Sequence, residues 1–170
     1  WSEPVKLPIE INSEGNEATP IFNAKRTLMY FTRCPAEKKK VFGCDIWVSK
    51  KVGNNFAAPV MLKLKLATVK EDTLTAGHPA LSADDDMLVF ATNSPYPGHK
   101  GGKDLYMVKL DREGMPAGTP VNLGAEVNTA KDDMFPFLRY DGSLYYSSNG
   151  MQGMGDKGLA RPRLAVDQDV

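Results

Sequence analysis

Imidazoles, thiols and carboxylates are the side chains through which a chain of this size could do chemistry, and here they are few and scattered. His78 and His99 are its only histidines. His78 directly precedes Pro79 within an apolar stretch, which assigns it packing or a local hydrogen bond. His99 falls in the polar loop Tyr96-Pro97-Gly98-His99-Lys100-Gly101-Gly102. No Gly-x-Ser-x-Gly elbow, His-Glu-x-x-His zinc motif or phosphate-cradling P-loop is present. Without a nucleophile beside a base, the chain reads as non-enzymatic.

The carboxylates invite a calcium reading, because hard cations take oxygen ligands. Asp45 and Asp104 each stand where a turn runs into a strand, where a carboxylate accepts backbone N–H groups of a Gly-rich loop. Asp84-Asp85-Asp86 and Asp132-Asp133 lack the glycine and terminal glutamate of an EF-hand loop. We read all of them as turn residues and expect no metal and no cofactor. Cys34 and Cys44 flank a loop between two neighbouring antiparallel strands, so they are either a disulfide or two unpaired thiols at a loop mouth. An oxidising compartment favours the bridge.

Charge narrows the partners. Twenty-one Lys and Arg balance 21 Asp and Glu, which leaves no basic excess for nucleic acid. The most apolar stretch, Ala57 to Leu66, is broken by Pro59, Lys63 and Lys65, so no segment reads as a membrane span.

The elements that carry these residues repeat. Pro20, Pro79 and Pro136 are 59 and 57 positions apart, and each is followed by an aromatic strand: Met29-Tyr30-Phe31-Thr32, Leu88-Val89-Phe90-Ala91 and Leu144-Tyr145-Tyr146-Ser147. In the same phase come Gly43-Cys44-Asp45-Ile46-Trp47-Val48 and Gly102-Lys103-Asp104-Leu105-Tyr106-Met107. Pro4-Val5-Lys6-Leu7, Pro59-Val60-Met61-Leu62 and Pro120-Val121-Asn122-Leu123 close the units. Glu10-Ile11-Asn12-Ser13 and Glu126-Val127-Asn128-Thr129 also match, 116 positions apart. Each unit reads as four antiparallel strands, the pattern of a β-propeller blade.

Three segments carry a family likeness: His78-Pro79-Ala80-Leu81-Ser82-Ala83-Asp84, Gly101-Gly102-Lys103-Asp104-Leu105-Tyr106, and the Gly-rich loop from Ser147 to Gly155. They resemble the WD40-like (PD40) repeat of the TolB type, and most of all the blades of OmpA-family envelope proteins of Bacteroidetes, a component of the type IX secretion system among them. The resemblance covers about residues 1–158. It implies an all-β propeller, a periplasmic place at the outer membrane and protein partners in the envelope. The chain departs from the pattern at Ala24-Lys25-Arg26, where the other units carry an Asp-containing turn, and after Gly158-Leu159, where Ala160-Arg161-Pro162-Arg163 stands in place of the Asp-Leu-Tyr strand that is due.

The expected layout is the last strand of a preceding blade (1–7), blades at 8–62 and 63–123, a partial blade of two strands at 124–159, and a tail at 160–170 outside the repeat. This gives eleven strands in about two and three-quarter blades. Propellers close with four to eight, so the ring is incomplete and needs more chain or self-association with a second copy. Trp47, Tyr106, Phe31, Phe90 and Tyr146 recur in phase and are expected between blades.

The loops after the second and fourth strands share one rim. They gather Arg33, Lys38, Lys39, Lys40, Tyr96, His99, Lys100, Met151, Gln152 and Met154 as candidate partner contacts. The expected function is a non-catalytic scaffold. The alternatives are an accessory propeller of a prolyl-oligopeptidase-like peptidase and a glycan- or peptidoglycan-binding module using loop aromatics.

Overall fold

The computed structural model describes residues 3–36, 43–66 and 74–151, and the backbone of 158–160. These residues form twelve strands, all paired antiparallel, and no helix. The fold is all-β.

The first sheet contains β1 (Asn16–Phe22), β2 (Leu28–Cys34) and β3 (Asp45–Val52). The short β5 (Val60–Met61) pairs along β3, and β4 (Asn55–Phe56) folds back on the end of β3. The second sheet has the order β6 (Ala76–Leu81), β7 (Met87–Thr92), β8 (Asp104–Leu110), β9 (Pro116–Asn122). The third holds β10 (Asp133–Leu138), β11 (Leu144–Ser148) and β12 (Gly158–Ala160).

Two expectations change here. Residues 3–7 carry no strand: no neighbouring ladder is present for them among the described residues, and Val5 stands 88% exposed. The third sheet has three strands rather than two, because backbone pairing places Gly158-Leu159-Ala160 beside β11 without the Asp-Leu-Tyr side chains.

Local chemistry sets the strand ends. In all three sheets the turn between the first two strands holds one left-handed residue, Arg26 (φ 53°), Asp85 (φ 62°) or Gly142 (φ 78°). The first turn needs no aspartate, because the Asn23 side chain accepts the Thr27 and Leu28 amides at 2.8 and 2.9 Å.

The sheets pack face to face. Strand β6 lies against β1, β2 and β3, and β10 lies against β6, β7 and β8. One core, with Tyr30, Ile46, Leu88, Phe90 and Tyr106, fills the space between the first and second sheets. Another, with Ala80, Val89, Leu105, Leu144 and Tyr146, fills that between the second and third. Alternate residues of β7 therefore enter opposite cores, and the strand is buried along its whole length. On the far side of the first sheet, Met29, Phe31 and half-buried Trp47 and Phe56 pack with Ile11.

Candidate partner-binding surface

Hydrogen bonds that cross between sheets occur in register. The Ala76 amide donates to the Cys44 carbonyl at 2.9 Å, and the Asp133 amide donates to that of Lys103 at 2.7 Å. In return the Cys44 amide donates to Thr75 Oγ1 (3.2 Å) and the Lys103 amide to Asp132 Oδ1 (3.0 Å). Entry into the third strand of one sheet is thus stapled to the start of the next. Glycine precedes each staple because the backbones nearly touch: a Cβ on Gly102 would lie 2.6 Å from the Lys131 carbonyl, and one on Gly43 would collide with that of Leu74.

Cys34, at the end of β2, and Cys44, just before β3, are joined by a disulfide. Cys44 thereby anchors both the bridge and the first staple.

The matched segments 116 positions apart build one device twice. Ser13 donates both its amide and its hydroxyl to Glu17, and Thr129 donates both to Asp133. The same hydroxyls accept the amides of Gly15 and Lys131.

Between β7 and β8, the loop folds inward. Tyr96 is 5% exposed, packs 5.7 Å from the Tyr106 ring and accepts the Tyr106 hydroxyl on its carbonyl. Fully buried Asp104 accepts the Lys100 amide (2.7 Å) and Asn122 Nδ2 (2.8 Å) on Oδ2, while its Oδ1 has no partner among the described residues. His99 Nδ1 lies 3.6 Å from that Oδ2 and 3.4 Å from the Tyr106 hydroxyl, half-buried. Burial pushes the Tyr106 phenol up, so the group stays a neutral donor.

The rim contacts expected from the sequence therefore separate. Lys100 is exposed and available. Tyr96 is not, because two apolar sheet faces bury it. Arg33 is not, because its guanidinium is used within the chain: Nε pairs with Glu17 at 2.9 Å, and Nη2 donates to the Glu10 and Ile11 carbonyls at 2.8 Å each. The group also lies 4.8 Å over the Trp47 ring. Met151 is half-buried on the second core, its sulfur 3.6 Å from the Tyr146 hydroxyl, which donates to the Val127 carbonyl at 2.8 Å. Lys38, Lys39, Lys40, Gln152 and Met154 lie outside the described residues. Of the carboxylates, Asp104 does accept a loop amide, whereas Asp45 pairs with Lys65 at 2.8 Å.

One row of residues was not visible in the sequence pattern. Thr19, His78 and Phe135 each precede a proline, each sit at a bulge in the first strand of their sheet, and each have φ near +50° (49°, 55° and 54°). The residue before proline ordinarily favours extended backbone, so the in-phase prolines did not announce this strain. The row is linked across sheets. The His78 amide donates to Thr32 Oγ1 (2.9 Å), which in turn meets Thr19 Oγ1 (2.8 Å), and the His78 ring stacks on Phe135 at 4.0 Å.

No protein-family model and no curated protein matches the chain. Among solved structures it is similar to a puromycin-hydrolysing peptidase of Mycobacterium tuberculosis, with TM-score 0.55 and 20% identity over 86% of this chain. The likeness is one of fold. The chain spans 20% of the length of that peptidase.

Proposed function

We propose that the chain is part of a β-propeller and serves as a non-catalytic protein-interaction scaffold of a periplasmic, OmpA-family envelope protein at the outer membrane. The observation that carries this reading is the repeated staple, which relates the second sheet to the first as it relates the third to the second. A constant blade-to-blade relation is what a propeller requires. Ala80 and Val89 of the second sheet meet Leu144 and Tyr146 of the third in one core. Phe137 and Tyr145 take the corresponding places in the third sheet, where Phe137 is 57% exposed, and in the proposed ring a further blade covers them. More chain or a second copy supplies that blade.

The envelope assignment, and a role in type IX secretion within it, rest on the resemblance of the Gly-rich sequence from Ser147 to Gly155. The disulfide supports an oxidising compartment. Lys100 marks the rim that meets partners. A photo-crosslinker at Lys100, introduced in cells that make the protein, is expected to capture a discrete envelope protein that one at Lys25, at the opposite ends of the strands, does not capture. Identical adducts from both positions would reject the scaffold reading.

The likeness to a peptidase favours one second reading, an accessory propeller beside a hydrolase domain. A Gly-x-Ser-x-Gly segment in the continuing gene would establish it, and an OmpA-like module there would exclude it. Glycan binding through loop aromatics loses its main residue, since Tyr96 is buried.

A further inference from the structure

At the ends of the strands remote from the loop rim, a groove of about 940 Å³ opens between the first and second sheets. Its size is at the upper end of the roughly 300–1,000 Å³ of small-ligand clefts. One wall belongs to the first sheet and carries an apolar patch, with half-buried Leu28 and exposed Ala58 and Val60 above the buried Tyr30 and Val48, flanked by Lys25 and Lys50. The Tyr30 hydroxyl donates to the Gly114 carbonyl at 2.8 Å and closes the floor. Burial, with Asp85 and Asp111 adding to it, pushes that phenol up to about 12, so the floor stays neutral.

The facing wall comes from two turns of the second sheet. It bears Asp84, Asp85 and Asp86 from one, and Asp111, Arg112 and Glu113 from the other, so carboxylates outnumber cations there by five to one. Among the described residues none of these five carboxylates forms an ion pair. Asp85 is committed to the Ala24 amide, and Asp86 and Asp111 accept local turn donors, which leaves Asp84 and Glu113 facing solvent.

We propose that this groove binds a short extended peptide with alternating apolar and basic side chains. The apolar side chains lie on Leu28, Ala58 and Val60, and the basic ones on Asp84 and Glu113. A metal ion does not fit, because the carboxylates are spread over two turns and no group of three potential ligands converges among the described residues. A spaced polycation does fit. Lys25 and Lys50 line the groove from the first-sheet side, which fixes the side on which the basic residues sit. The inference is independent of the scaffold reading.

The probe is a short fluorescein-labelled peptide alternating leucine and lysine, with its glutamate counterpart as control, followed by anisotropy against the purified chain. Saturable binding of the lysine peptide alone is expected, weakening with added salt. The exposed double variant Asp84→Asn, Glu113→Gln should raise its Kd about five- to tenfold while leaving the circular dichroism unchanged. Val60→Ser, on the opposite wall, should weaken it as well. Equal binding of both peptides, no saturable binding, or indifference to the double variant would overturn the proposal.

Discussion

Ala76 and Cys44 are joined backbone to backbone across the gap between two sheets, and one repeat later Asp133 and Lys103 are joined the same way. A side-chain acceptor one residue earlier, Thr75 or Asp132, completes each pair. The sheets are therefore held at a fixed spacing by polar contacts at the loop rim as well as by the apolar cores between them. Glycine before the staple is a packing requirement, which explains the Gly-x-Asp pattern without any ligand.

Replacing Gly102 by alanine should destabilise the protein by about 2–4 kcal/mol, because a Cβ there meets the Lys131 carbonyl and the backbone is left-handed as well (φ 60°). Gly124→Ala separates the two causes. Its φ is 81° with open space around it, so only the backbone penalty of about 1–2 kcal/mol is expected. Urea midpoints of the two variants measure the difference, and equal losses would remove the close-approach argument.

Reduction of the Cys34–Cys44 bridge should lower stability by about 2–3 kcal/mol, the chain-entropy value for a closed loop with a sequence separation of 10. Because Cys44 also accepts the Ala76 amide, the loss should appear first at the rim between the first and second sheets. Amide exchange with and without reductant checks this: Ala76 should lose protection before the β7 core does. An unchanged urea midpoint in the Cys34→Ser, Cys44→Ser double variant would contradict it.

Much of this architecture can be read from spacing alone. The in-phase prolines at 20, 79 and 136 lie at the three bulges, and the Tyr-Phe and Asp-Leu-Tyr segments fall within the second and third strands. Period-two alternation and turn residues are local, so they survive in sequence. The fates of Arg33 and Tyr96 depend on which distant surface folds over them. Polarity and loop position pointed both residues outward, yet Glu17 and two carbonyls claim Arg33, and Tyr106 covers Tyr96. The left-handed backbone at Thr19, His78 and Phe135 was equally hidden, because the local preference before proline is the opposite one.

The strained row makes stability depend on pH in a definite direction. Burial first, and then the Lys103 charge, hold the His78 imidazole below its usual 6.5. Below that value the unfolded chain binds a proton that the folded chain refuses. Stability therefore rises with pH across the window from the folded pKa to 6.5 and is flat above it. His78→Gln should remove this part of the slope just below pH 6.5. Parallel urea titrations of the two proteins decide it, since identical slopes would mean that the imidazole is not held neutral.

Arg33 supplies the sharpest separation between a partner contact and an internal brace. Its planar fork spans Glu17 and the Glu10 and Ile11 carbonyls while stacking over Trp47, a geometry that an ammonium group cannot reproduce. Arg33→Lys should cost about 2–3 kcal/mol through the lost charge-assisted bonds and stacking. The damage should be local. Amides of Ile11 and Asn12, both bonded to the Pro8 carbonyl, should exchange faster, while those of β7 keep their protection. A residue that only met partners would behave differently: its lysine variant would keep full stability and the slow exchange of Ile11, and would lose partner capture alone.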